Sequence, residues 1–348
     1  MKMKHKEQQI WPINQLLILL AALFAIFLIL KSAADIIVPF LIAVAIAILL
    51  SPIFSYLETK RIPKAVSLVF ITLLVLIPVI LLGGYVGQEV QDFAKNYDTI
   101  QQGFDEWFKK FPLFLGNFGI EVSLEELKAA VGKTNFTEII QNLAVQAKDQ
   151  FSNIFLIFFI VAFMLMESTY LYNKLVKIMN NRDGNIEKEM VIIEKVQSYF
   201  LIKVKTSMLT AIWVMAVLWY FDVQYFLLWA TLAFFLNFIP VVGSILAAIP
   251  AVLMALVTQD PMTALWVTLW YVIINMVVGN ILEPKIMGKG LGLSALVIFL
   301  SMTFWGWIFG PAGMILSVPL TMGMQFLFDQ YEETKWVAFL LSDYEKGK

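Results

Sequence analysis

Two apolar runs in the C-terminal half of the chain, 225–257 and 293–328, are too long to be single membrane helices. A helix of about 33 residues is about 50 Å long, whereas the hydrocarbon core of a bilayer is about 30 Å thick. Each run contains proline and glycine near its middle, at 240–243 and 310–313. Because proline removes a backbone donor and glycine permits unusual backbone angles, we predict a hairpin at each position. A steeply tilted helix is the alternative, and a hairpin could either cross the membrane twice or re-enter.

The amino-acid composition indicates a membrane protein. Hydrophobic residues make up 60% of the chain and charged residues 15%, and the mean hydropathy is +0.80. A soluble domain contains about 25% charged residues, so this mixture cannot cover a folded domain with a water-soluble surface. A helix satisfies its own backbone hydrogen bonds in lipid. We therefore predict an all-α, polytopic membrane protein with two broken hairpins.

Cysteine and histidine, which many catalytic and metal sites require, are nearly missing from the sequence. The chain has no cysteine, and its one histidine, His5, lies in the polar N-terminal tail. This excludes disulfides, thiolate nucleophiles and zinc sites built from cysteine and histidine. Gly132, Lys133 and Thr134 resemble the end of a phosphate-binding loop, but Leu127 stands where such a loop begins with glycine. We expect neither an enzyme nor a cofactor, a metal site or a nucleic-acid partner.

The basic residues beside the apolar runs predict the orientation in the membrane. Segment 173–205 has seven Lys and Arg against four Asp and Glu, whereas 88–150 has six against ten. Cytoplasmic loops carry an excess of Lys and Arg. We therefore predict a cytoplasmic N-terminus and an outer location for 88–150. Two further basic groups agree with this orientation: Lys2, Lys4 and Lys6 in the tail, and Lys60, Arg61 and Lys64 after the second span.

The alternation of apolar and polar segments divides the chain into six parts. Aromatic residues recur at steps of three and four in the outer segment, which indicates helices and favours a homo-oligomer. The predicted parts are membrane spans in 1–87, an outer helical segment at 88–150, one span in 151–175, a cytoplasmic amphipathic helix at 176–205, a membrane core with both hairpins at 206–330, and a cytoplasmic tail at 331–348.

Polar side chains inside apolar runs are costly and are therefore candidates for function. Asn237 could cap a broken helix or contact a solute, and Glu167 could be interfacial or bind a proton or cation. Asn280 and Glu283 are three residues apart, which predicts a shared helix face. Glu283 could pair with nearby Lys285 at the interface or act in gating. The candidate pathway residues are Asn237, Pro240, Gly243, Asn280, Glu283, Pro284, Glu167, Gly310, Pro311, Gly313 and Pro319.

Several sequence blocks resemble those of the autoinducer-2 exporter family of bacterial permeases. They read N-F-I-P-V-V-G at 237–243, E-P-K-I-M-G at 283–288 and G-P-A-G-M-I-L-S-V-P at 310–319, with P-F-L-I-A at 39–43. The resemblance implies membrane transport. Some members of that family are linked to export of autoinducer-2, a furanosyl signal, and others to sodium(lithium)/proton antiport.

These observations predict a multi-pass permease of the bacterial cell membrane for a small polar solute or a cation. No ATP-binding motif is present, so transport would be facilitated or driven by a gradient. The two hairpins would line the path. The alternative is an envelope scaffold or assembly protein that does not transport and that works through its outer helices.

Overall fold

Helices form nearly all of the regular structure. The computed structural model describes residues 13–96, 98–103, 106–107, 109, 154–167, 186–240, 242–287 and 292–343. Within these residues the only pairing of extended backbone is an isolated bridge between Leu293 and Ser342. The predicted all-α class is therefore confirmed. The helices are α1 Ile13–Ser32, α2 Ala34–Thr59, α3 Lys64–Lys95, α4 Ile154–Glu167, α5 Ile186–Tyr220, α6 Phe226–Leu236, α7 Gly243–Thr258, α8 Pro261–Ile274, α9 Glu283–Met287, α10 Ala295–Asp329 and α11 Lys335–Leu341.

Among the described residues, five helical stretches have the length and apolar composition to cross a membrane. They are Ala34–Thr59, Lys64–Lys95, Ile193–Tyr220, Pro261–Ile286 and Ala295–Asp329, of which the last is bent at Gly310. The third of these continues across the predicted boundary between 205 and 206, because α5 begins at Ile186 and has no break there. The predicted outer segment 88–150 lies mostly outside the described residues, although α3 extends to Lys95 and 98–103 are helical.

The N-terminal helices pack around small side chains. Ala43 and Ala47 of α2 are buried against Ile71 of α3, and Val161 and Leu165 of α4 complete this cluster. A short turn at 60–63 connects α2 to α3, so the two helices run antiparallel. The turn between α1 and α2 and the C-terminal end of α3 therefore lie on the same side of the bundle.

The first hairpin consists of α6, a tip that includes residues 237–240 and 242, and α7. Its arms of 11 and 16 residues are about 16 and 24 Å long, shorter than a bilayer core, so it re-enters rather than crosses twice. At its open end, Gln259 Nε2 donates a hydrogen bond to Asp222 O at 2.7 Å, which joins the residue after α7 to the segment before α6. Glu89 of α3 accepts a hydrogen bond from Leu228 N at 2.6 Å, which places this open end beside the C-terminal end of α3.

The second hairpin lies within α10, which reverses direction at Gly310. The angles there, φ 64° and ψ −149°, belong to a region that essentially only glycine occupies. The arms at 295–309 and 311–329 run antiparallel, because Trp305 Nε1 donates to Thr321 Oγ1 at 3.1 Å and Gln325 Nε2 donates to Gly292 O at 3.0 Å. Both predicted hairpins are therefore present in the structure.

The two hairpins point in opposite directions. The bend of the second hairpin lies beside the α1–α2 turn, where Lys31 Nζ is 4.4 Å from the Trp307 ring centre. The open end of the first hairpin lies on that same side, beside the end of α3. The tip of the first hairpin therefore extends into the bundle and meets the middle of α5.

Candidate functional site

A buried ion pair joins α5 to the start of α9. Lys203 Nζ lies 2.6 Å from Glu283 Oε1, and the two side chains are only 8% and 13% exposed. An isolated charge at this depth would be strongly unfavourable, and here each group compensates the charge of the other. The pair lies about 25 Å along α5 from its C-terminal end at Tyr220, within the stretch Ile193–Tyr220 that is long and apolar enough to span a membrane.

The tip of the first hairpin contacts this pair directly. Lys203 Nζ donates a hydrogen bond to Asn237 O at 3.3 Å, and Asn237 Nδ2 donates to Ser207 Oγ at 3.0 Å. Thr206 Oγ1 donates to Glu283 Oε2 at 3.3 Å. We call these five residues the polar cluster. The polar cluster lies where α5, the tip of the first hairpin and the first residue of α9 meet.

Helical spacing places the α5 residues of the polar cluster on one face. Lys203, Thr206 and Ser207 are three and four residues apart, and Tyr199 lies one turn earlier on the same face. Tyr199 is buried, and its hydroxyl has no hydrogen-bond partner among the described residues. Buried polar groups normally bind protein, water or a ligand. Within the described part of the chain, this hydroxyl is therefore an unsatisfied polar group one helical turn from the polar cluster.

The position of Asn237 follows from the way α6 ends. The backbone remains helical up to Asn237 N, which donates to Ala233 O at 3.0 Å, and Pro240 then lies half-buried in the tip. Gly243 begins α7 so close to α6 that a β-carbon on it would lie 1.8 Å from Leu236 O. Only glycine allows this approach. Pro240 in the tip and Gly243 at the start of α7 therefore together direct Asn237 toward α5.

Glu283 is positioned by an unusual helix. Residues Asn275–Leu282 form a π-helix between α8 and α9. The predicted common face of Asn280 and Glu283 is wrong, because Asn280 is exposed whereas Glu283 faces the buried Lys203. A π-helix has about 4.4 residues per turn, so residues three apart point in clearly different directions. The predicted pairing of Glu283 with Lys285 is replaced by the pairing with Lys203.

The remaining candidate residues lie elsewhere. Glu167 is exposed at the end of α4, and Pro284 is exposed in α9. The four candidates of the second hairpin make none of the hydrogen bonds of the polar cluster, although this hairpin packs Leu316 and Met322 against Tyr199. Those four residues are Gly310, Pro311, Gly313 and Pro319, of which Gly313 is buried at the bend.

Three members of the polar cluster were not predicted from the sequence: Lys203, Thr206 and Ser207. The basic character of segment 176–205 predicts a cytoplasmic helix, on which Lys203 would be a surface residue. A signal was nevertheless present. Lys203, Thr206 and Ser207 lie at helical spacing in a segment with apolar residues on both sides, which is typical of a polar stripe that faces another helix.

Comparison with known proteins agrees with this architecture. The model of the family described as AI-2E family transporter matches residues 16–333. The chain belongs to this family. It is 35% identical over 332 residues to the AI-2 transport protein TqsA of Escherichia coli K12, covering 95% of this chain and 96% of TqsA. It is 34% identical over 342 residues to a putative transport protein of Haemophilus influenzae, covering 97% and 98% of the two chains.

A third relative is the putative transport protein YhhT of Escherichia coli K12, which is 30% identical over 306 residues and 88% of each chain. The family and all three relatives are described as transport proteins. This confirms the predicted resemblance and the prediction of a multi-pass membrane permease. It favours transport over the alternative of a scaffold.

Proposed function

We propose that this permease moves a small hydroxylated solute resembling autoinducer-2 along a path that passes the polar cluster. The supporting observation is the buried Lys203–Glu283 pair at the tip of a re-entrant hairpin. An amide, two hydroxyls and a balanced pair of charges offer donors and acceptors to an uncharged polar molecule. The name of TqsA, a relative over nearly the whole chain, supports autoinducer-2 as the first solute to test.

We also propose that the N-terminus is cytoplasmic, as the distribution of basic residues indicates. In this orientation the first hairpin enters from the outer side and its tip reaches toward the cytoplasmic half of the membrane. Broken helices that point at a buried polar site are typical of secondary transporters. Transport would then be facilitated or driven by a gradient.

A second candidate function is the exchange of a cation for a proton. The Lys203 ammonium lies among oxygen atoms, namely Glu283 Oε1 at 2.6 Å and Asn237 O at 3.3 Å. Oxygen ligands also suit hard metal cations. This candidate is tested in the same vesicles as the first, because sodium-driven proton movement and autoinducer-2 flux can be measured separately.

Glu283→Gln should reduce flux about 10- to 100-fold, since hydrogen bonds to a charged group contribute about 1.5–3 kcal/mol. The measurement is uptake of autoinducer-2, and separately of sodium, into vesicles that contain the purified protein. Glu332→Gln is the matched control, because Glu332 is largely exposed and pairs only with its neighbour Lys335 in the described residues. Unchanged flux of both substrates in Glu283→Gln would remove Glu283 from the path.

Single cysteines test whether the polar cluster becomes hydrated. The natural chain has no cysteine, so Ser207→Cys and Asn237→Cys would each be the only thiol. We expect both to react with a water-soluble thiol reagent in membranes, and autoinducer-2 to slow the reaction. Val214→Cys is the control, because Val214 lies on the same helix but is buried in an apolar core. Reaction rates at 207 and 237 as low as at 214 would contradict a path through the cluster.

A further inference from the structure

The buried face that α8 and the π-helix share changes its spacing just before Glu283, the first residue of α9. Through α8 and into the π-helix it follows α-helical steps of three and four. The next residue directed at α5 is Glu283, five positions after Val278, while Ile281 is 55% exposed. A step of five is the period of a π-helix. The buried residues before this step are Ala264, Val267, Tyr271, Ile274 and Val278.

The π-helix therefore determines which charged residue faces Lys203. An α-helix turns about 100° per residue and a π-helix about 82°. From Val278 to Glu283 the difference amounts to about 90°. With α-helical spacing Glu283 would point about 140° away from the direction of Val278, and therefore away from α5. Lys285, seven residues after Val278, would then point within about 20° of the direction of Val278 and so toward α5, roughly one helical turn further along the axis than Glu283 lies now.

We propose that Asn275–Leu282 is a register switch that positions either Glu283 or Lys285 toward Lys203. In the π register an attractive pair holds α5, the first hairpin and α9 together. In the α register two ammonium groups face each other, which separates α5 from α9. This inference rests on the proposed role of the polar cluster in the transport path, and it assigns the opening of that cluster to the π-helix.

Two local features permit such a switch. Gly279 lies at the centre of the π-helix, where a β-carbon would be 3.1 Å from Asn275 Oδ1. The Lys203 ammonium also donates a hydrogen bond to Asn237 O. If Glu283 turned away, the negative charge that holds this ammonium beside the hairpin tip would be removed. The register of one helix is thereby coupled to the contact between the first hairpin and α5.

Exchange of the two charges tests the switch. In the double variant Glu283→Lys with Lys285→Glu, the α register rather than the π register places a carboxylate beside Lys203. Spin labels at Tyr56→Cys on α2 and Ile286→Cys on α9, both exposed sites, report the rotation of α9 as a distance in lipid nanodiscs. We expect one main distance in the labelled parent and a different main distance in the exchange variant. Addition of Lys203→Glu to the exchange variant should restore the parent distance.

Gly279→Ala provides a second variant in case the exchanged protein folds poorly. Alanine favours α-helical backbone more than glycine does, and in the π register its methyl group would lie 3.1 Å from Asn275 Oδ1, so we expect the population at the second distance to grow several-fold. The same single distance in the parent, in Gly279→Ala and in the exchange variant would overturn the switch. The distances do not depend on the solute, so they distinguish failure of this inference from failure of the proposed function, which the flux of Glu283→Gln tests.

Discussion

Replacement of Lys203 by methionine is expected to lower the free energy of unfolding by about 3–5 kcal/mol and to abolish transport. Methionine replaces the apolar stem of lysine but leaves the Glu283 carboxylate without its partner at 2.6 Å, in a site where that side chain is 13% exposed. A buried charge without a partner accounts for the size of the effect. The measurement is denaturant-induced unfolding in detergent micelles, together with vesicle flux.

Two further variants separate stability from transport. Lys203→Met combined with Glu283→Gln removes both charges, so we expect most of the lost stability to return while flux stays low. Lys95→Met breaks the exposed Lys95–Asp92 pair, and the expected loss is below about 0.5 kcal/mol. Equal losses in Lys203→Met and Lys95→Met would show that the buried pair does not stabilise the fold.

Gly243→Ala and Gly313→Ala should each prevent the corresponding hairpin from closing. An added β-carbon would lie 1.8 Å from Leu236 O in the first hairpin and 2.0 Å from Trp305 O in the second. These are backbone atoms, so the arms must separate, and we expect a loss of more than about 4 kcal/mol. The measurement is the folded, monodisperse yield in fluorescence-detected size-exclusion chromatography.

Glycines elsewhere in the helices provide the matched controls. A β-carbon at Gly84 in α3 or at Gly323 in α10 would meet nothing within 4 Å. Alanine at these sites should preserve the yield and could stabilise the helix by about 0.5–1 kcal/mol. A normal yield of Gly243→Ala or Gly313→Ala would mean that the hairpins do not pack as closely as the structure shows.

Both hairpins could be predicted from the sequence because their cause is local. The length of each apolar run exceeds the thickness of a bilayer, and Pro240, Gly243, Gly310 and Gly313 mark where the backbone can reverse. The length of α5 could not be predicted in this way. Lys203 and Lys205 indicate a cytoplasmic segment, yet Lys203 lies buried in a helix that is long enough to span a membrane, where Glu283, 80 residues later in the chain, compensates its charge.

The candidate site was predicted only in part. Asn237 and Glu283 were identified because amide and carboxylate groups are conspicuous in apolar runs. Lys203, Thr206 and Ser207 were not, since a basic residue near the end of a span is usually interfacial. The direction of Glu283 was also wrong, because the prediction assumed α-helical spacing where the structure has the π-helix Asn275–Leu282.

The sequence alone determined that this chain is a helical membrane protein, that two of its apolar runs must bend, and that it belongs with permeases. Those properties depend on composition, run length and local backbone chemistry. The tertiary structure decided which side chains meet, because a helix can change its turn per residue and a buried charge can take its partner from a distant segment. The polar cluster exists only where α5, the first hairpin and Glu283 come together.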